Sequence, residues 1–500
     1  MKRDRRLWIR VVALMLALLL VLGVAVSAVV AFAGPADPGG RDIYRIDIYY
    51  DEIGRSARVN QVLTYTNRTG ATLDSLSFLL YPNAFRSLAT VPIEADGLED
   101  AFPGGYAPGG VDFVSVKVNG QPADWGVSGV GEQFLRVAAA LPAGATAEFE
   151  LVYAVLLPPC GGAFGADALS VRLVDCYPVA AAYDPIEEAF ALYAGSAVGE
   201  PRLRDMADYR VTLNAPATYR LASTGAATQS PAEGDRTLWT IEAAGSRDFA
   251  AVLGRKYTAH RRQAGDVALT ALTNDASIAA ACLDYAADAL AVYQGWLGVY
   301  PFSALDIAQV DALPGGVGRT GLILLDEEAL YGDRAALRLT VARLVARQYF
   351  SSAVGSDQAR EPWLSEALSA VAALLYLEER DGRDAYLAAL NAQVLDALNL
   401  TLPGGLYVDS AASRFTSGDE YQIIVVDRGV AAMHELIGAM GRDAFLQALG
   451  RYVADNIGRN ASIAGFAAAL NASGGRWDEY LMEQLHNIGG YAEQGIDWLE

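Results

Sequence analysis

The sequence predicts an α+β chain: an N-terminal antiparallel β-saddle or sandwich, then a mostly helical domain, both behind a single N-terminal transmembrane helix. Three patterns predict it. Between Arg41 and Arg255, apolar and polar residues alternate in short segments set off by Gly, Pro and Asn, the mark of half-buried strands. From Asp275 onward the apolar residues recur at helical spacing. Ahead of both, an apolar run from Val11 to Ala33 is broken only by Gly23 and Ser27.

Residues 1–40 read as a membrane anchor and its linker. The 23 residues of the run span about 35 Å as a helix, enough for a hydrocarbon core of about 30 Å. Lys2, Arg3, Arg5, Arg6 and Arg10 precede it with Asp4 as the one acid, which leaves the rest of the chain outside the cytoplasm by the positive-inside rule. A single-pass protein of the cell membrane, its bulk extracytoplasmic, is the expectation. Ala31-Phe32-Ala33 also suits a signal-peptide cleavage site, so secretion after cleavage is the alternative. GPADPGG, residues 34–40, is the linker.

Residues 41–258 read as the β-saddle domain. Its strands lie in YRIDIYY, ARVNQVLTYTN, FVSVKVNG, TAEFELVYAV, YRVTLNAP and RTLWTIEAAG. Cys160 and Cys176, with 15 residues between them, are near enough for a disulfide that would contribute about 3 kcal/mol in an exported protein; two buried thiols are the alternative.

Residues 259–500 read as the helical domain. Asp275 caps a helix that ends at Gly298 and Pro301. The strand LDIAQVDA, the Gly-rich turn LPGGVGRTG and the strand LILLDE come next. Six helical segments follow, beginning with DRAALRLTVARLVARQYFSS and EPWLSEALSAVAALLYLEER, where Pro362 suits a first turn.

Composition bounds the chemistry. With 500 residues, 53% hydrophobic and 19% charged, the chain has material for large cores, which excludes disorder over most of it. A formal charge of −21, with no basic stripe interleaved with aromatics, argues against a nucleic-acid partner. The three histidines, His260, His434 and His486, are far apart, so a His-rich metal site would need distant segments to converge. His434-Glu435-Leu436-Ile437 begins like a zinc motif, but Gly438 stands where the second His is required, and it reads as a polar patch on a helix.

The order of landmarks is similar to one known family. GWLGVYPFSALDIAQVDALPGGVGRTGLILLDE, then VARLVARQYF, WLSEALSA and DRGVAAMHELIGAMGRDAFLQAL, together with the earlier SRDFAAVLG, resembles the gluzincin metallo-aminopeptidases of the aminopeptidase N and leukotriene hydrolase type. The resemblance runs from about Arg41 to the C-terminus and implies a thermolysin-like, peptidase-type second domain. It also implies zinc, held by His-Glu-x-x-His and a Glu after eighteen intervening residues. Two imidazoles on one helix face and a carboxylate hold the metal, and the Glu beside the first His is the general base.

This chain departs from that pattern at every functional position but one. Arg343, Leu344 and Arg347 stand at the zinc-helix positions, and only the third ligand is kept, as Glu366. The family's amine-binding Glu is replaced by Gly318, and its oxyanion-stabilising Tyr by Val426. The expectation is a degenerate member lacking the zinc motif: a pseudo-peptidase with no catalytic residue and no cofactor.

Arg343 and Arg347 lie four apart on one helix, so both are expected to pair with Glu366 in the old cleft. Two solvated arginines are the bland alternative. Peptides or a partner protein would bind beside Gly315, Gly316 and Glu366, because an open strand edge binds through backbone groups and survives the loss of zinc. The competing readings are an active peptidase with carboxylate metal ligands among Asp326, Glu327, Glu328 and Glu366, and a purely structural envelope protein.

Overall fold

The computed structural model describes residues 40–399 and 405–487; the apolar run expected as an anchor lies outside them. The expected strands form. Eight make one sheet, in the order 226–232, 236–246, 207–216, 42–51, 56–66, 146–156, 110–118 and 121–122. Alternation sets its two faces: along Asp42–Asp51, Tyr44, Ile46, Ile48 and Tyr50 point inward while Arg45, Asp47 and Tyr49 are less covered. The sheet is not wholly antiparallel, because Asp42–Asp51 pairs in parallel with Ala207–Pro216. Parallel neighbours need a long crossover, and the intervening chain, with one whole four-stranded sheet and two strands of a second, supplies it. Those sheets pack on the large one around Leu63, Phe78, Phe149, Leu151, Tyr153 and Leu173.

Cys160 and Cys176 are free, buried thiols, which corrects the disulfide expectation. Cys160 Sγ donates to the Phe164 carbonyl at 3.3 Å, so its thiol is turned to a local backbone partner. Burial pushes both thiols up to about 12, which keeps them protonated and poor nucleophiles.

A five-stranded sheet follows, in the order 258–264, 267–273, 304–309, 322–325 and 317–319. The expected Gly-rich turn therefore contains a strand, Val317–Arg319, at the sheet's edge. The boundary expected at 258/259 falls at the start of this sheet's first strand. A small apolar cluster of Val174, Ala222, Val252, Leu272, Val310 and Leu324 joins this sheet to the four-stranded sheet behind it.

The helix Ala276–Leu297 begins where Asp275 accepts from the backbone N–H groups of Ser277 and Ile278, and ends at Gly298. It is long and apolar enough to cross a membrane, but Ile278, Cys282, Leu283, Leu290 and Tyr293 pack into the helical core. The helix Arg334–Arg347 lies against Trp363–Asp381, with Leu337, Val341 and Leu344 buried between core residues. A π-helical turn, Gln348–Ala353, follows the first of these, and another, Gln422–Asp427, precedes Arg428–Met440. The last described helix, Trp477–Leu485, has no counterpart among the expected segments.

Candidate functional site

The site lies where the two packed helices meet the edge strand and a loop from the β-rich half. Arg343 and Arg347, one turn apart, both reach Glu366 in the first turn of the neighbouring helix. Arg343 Nη2 donates to Glu366 Oε2 at 3.0 Å, and Arg347 Nη1 donates to Oε1. Burial by itself would raise the Glu366 carboxyl, but the charges of Arg347 and then Arg343 outweigh it and hold the group below the usual carboxylate range. Arg338 reaches the far end of the same partner helix, donating to Tyr376 Oη and Asp381 Oδ2 at 2.8 Å each.

Sequence reasoning missed the rest of the cluster, which comes from segments far away in the chain. Glu200 Oε2 lies 3.5 Å from Arg347 Nη2, and Glu200 Oε1 accepts from Arg319 Nη2 at 2.7 Å. Despite burial, Arg319, Arg202 and Arg347 hold the Glu200 carboxyl far below its ordinary value. Asp175 lies 2.7 Å from Arg202 Nη1 and 2.6 Å from Arg204 Nη2; those charges outweigh desolvation and bring it down to about 2. Tyr421 packs against Gly199, and burial, then the charge of Glu366, raises its phenol well above the ordinary value.

The remaining expected residues are placed as follows. Leu344 is a core residue, and Gly316 packs so closely on it that an added Cβ would lie 2.9 Å from Leu344 Cδ1. Gly315 and Gly316 both take positive φ in the turn before the edge strand. Gly318 lies over Arg347 and Gln348. Val426 is buried in the second π turn, with no polar group to offer. The edge strand is partly capped from within: Gln348 Nε2 donates to the Arg319 carbonyl at 3.0 Å, its Oε1 accepts from Gly321 N–H at 2.8 Å, and Arg319 Nη1 donates to the Gly318 carbonyl at 2.9 Å. These bonds compete with any peptide at that edge.

His434 is no ligand either. Its Nδ1 lies 2.7 Å from Tyr386 Oη, and burial, then Arg383, lowers it to about 4, so it is neutral at ordinary pH. The carboxylates of the alternative metal reading do not converge. Asp326 caps its own helix through Ala329 N–H, Glu327 accepts from Gln309, and Glu366 is taken up by the arginines. Among the described residues, no three His, Cys, Asp or Glu side chains are grouped to hold a metal ion.

Comparison with known structures places this architecture. An M1 zinc metallopeptidase from Deinococcus radiodurans, solved as a point mutant, is 18% identical with a TM-score of 0.61, over 91% of this chain and 96% of that one. The same mutant bound to a Tyr-Ser-Ala substrate gives 0.62 at 18% identity with the same coverage. The parent enzyme gives 0.61 at 17% identity, over 90% of this chain and 93% of that one. The fold is that of an M1 metallopeptidase. No family model matches the sequence, and no curated protein does.

A zinc ion does not fit the residues found here. A guanidinium stays protonated and offers no lone pair to a metal, Leu344 cannot move a proton, and both Glu366 oxygens already accept from arginines. What the arrangement can do is hold two helices and a β-loop together by buried charge.

Proposed function

We propose that the chain is a membrane-tethered, extracytoplasmic pseudo-peptidase: an M1-type scaffold in which Arg343, Leu344 and Arg347 occupy the zinc-helix positions and a charge cluster has replaced the metal. The closure of both arginines on Glu366 carries this reading. A fixed cation pair takes the place of a divalent ion as the counter-charge of the retained carboxylate, so the helices keep their spacing without metal. Function belongs to the site rather than to the fold, and in this reading the family's general base, its two His ligands and its oxyanion Tyr are replaced by Leu344, Arg343 with Arg347, and Val426. The capped edge strand favours a structural role in the envelope over capture of peptides beside Gly315 and Gly316.

The test is metal content and turnover of the full chain in detergent, using a panel of fluorogenic aminoacyl substrates. The expected result is no stoichiometric zinc and no hydrolysis. Stoichiometric zinc with chelator-sensitive hydrolysis would overturn the reading. The triple variant Arg343→His, Leu344→Glu, Arg347→His supplies the missing ligands and base opposite Glu366; it is expected to gain zinc binding, and a failure to do so would put the register of the resemblance in doubt.

A further inference from the structure

At the edge of the large sheet, Asn119 and Gly120 form the two-residue turn between the strands Gly110–Val118 and Gln121–Pro122. Their φ angles are +50° and +76°, as a hairpin turn of this length requires, and Asn-Gly takes such angles at least cost. Both residues are exposed. This is the one Asn-Gly pair in the sequence; every other asparagine is followed by a residue whose side chain crowds the next backbone nitrogen.

The side-chain amide and the backbone nitrogen that follows it are in different states. Asn119 Oδ1 accepts from the Glu148 N–H at 2.9 Å, which draws charge in the amide towards its oxygen. The Gly120 N–H makes no hydrogen bond among the described residues, so that nitrogen is not tied into the sheet. No side chain shields it. The nearest atom outside the turn is Glu150 Oε1, 3.9 Å from where a Cβ on Gly120 would stand. The arm beyond the turn is held by two residue pairs, Val118 with Gln121 and Lys117 with Pro122. So short a ladder opens at low cost and frees Asn119 to swing its side-chain carbon towards the Gly120 nitrogen.

We propose that Asn119 is a self-modification site, at which the chain converts its own asparagine into aspartyl and isoaspartyl residues with water as the co-reactant. Gly120 N attacks Asn119 Cγ, and the bond from Cγ to Nδ2 breaks. Glu150, directly or through one water, takes up the Gly120 amide proton and passes it to the leaving ammonia. Water then opens the five-membered imide. Opening at Cγ leaves aspartate in a normal chain; opening at the backbone carbonyl leaves Gly120 joined through Cγ. In sum, one water enters and one ammonia departs. The aspartyl form adds a carboxylate beside Glu148 and Glu150. The isoaspartyl form adds a backbone carbon to a two-residue turn, which shifts the register of the arm leading to the edge strand Trp125–Ser128. The inference is independent of whether the Glu366 site is catalytically silent.

The experiment is peptide mapping by mass spectrometry of the full chain in detergent, aged in water labelled with oxygen-18 at pH 6 and at pH 8. Asn119 is expected to convert before any other asparagine, with one labelled oxygen incorporated and both products present. Glu150→Gln should slow the conversion about tenfold at pH 6. At pH 8, where hydroxide can take the proton instead, the slowing should be much smaller; a merely structural change would alter both rates alike. Conversion of another asparagine ahead of Asn119, or an Asn119 that stays unlabelled, would overturn the site. Equal slowing at both pH values would overturn the part given to Glu150. Should Glu150→Gln fail to fold, the position of the label in the unaltered chain decides.

Discussion

Glu366, buried on a helix, and Asp306, half-buried on a strand, are two carboxylates of the helix-rich half that meet desolvation in opposite ways. Glu366 sits between Arg343 and Arg347 and is held ionised. Asp306, on the strand Ala304–Gln309, accepts from Ser223 N–H at 3.0 Å and is bonded to Thr270, with Arg261 as a weaker, more distant cation. Burial dominates there and pushes its carboxyl up to about 7. The difference shows that the surroundings, and not depth alone, set the charge state: a fixed counter-cation keeps one acid charged, and its lack leaves the other near neutrality.

Removing Glu366 breaks this contrast most severely. Glu366→Ala leaves Arg347 in a buried site with only Glu200, 3.5 Å away, as counter-charge and should cost about 3 kcal/mol in chemical unfolding. An unchanged midpoint would mean that the cluster is solvated and contributes little. The next effect is steric. Gly316→Ala, at a φ of +69° with the Leu324 carbonyl 2.8 Å from the new Cβ, should cost about 1–3 kcal/mol by forcing the edge strand off Leu344.

Proton linkage sharpens the comparison further. Glu366 and Asp175 have lowered values, so their contribution is present above the ordinary carboxylate range and is lost as pH falls through each lowered value, about 2 for Asp175. Asp306 works in the opposite sense. Its folded value lies above its ordinary value of 3.8, so its contribution is full below that and is lost as pH rises through about 7. Asp306→Asn should therefore raise stability at pH 8, on the order of 1 kcal/mol for a partly exposed group, and change nothing at pH 4. A parallel shift at both pH values would show that the effect is not one of ionisation. The smallest effect is expected at the surface: Arg476, which pairs with Glu479 with both side chains exposed, should be replaceable by Ala with the melting temperature unchanged.

The readable part of the site is the local part. Arg343 and Arg347 are four residues apart on a helix with an apolar stripe, which puts them on one face, and the family resemblance is what directs that face towards Glu366 in the first turn of the next long helix. Glu200, Arg319, Asp175, Arg202 and Arg204 carry no such signal, because their meeting depends on how a loop of the β-rich half closes over an edge strand over a hundred residues later. The capping of that edge by Gln348 was equally hidden, since it comes from a π turn that shifts the side chain's direction at the end of a helix. For the cysteines, a short separation along the chain permits a bridge but does not set the direction in which each thiol points.

By itself the sequence determined the strands of the β-rich half, the helices after Asp275 and the placing of Arg343 and Arg347 on one helix face, because these follow from periodicity and from neighbours a few residues apart; their pairing with Glu366 was legible only through the family resemblance. The tertiary structure decided the parallel strand pair, the free thiols, the capped edge and the gathering of Glu200, Asp175 and their arginines. Each of these depends on which distant groups share a low-dielectric space, and no local pattern specifies that.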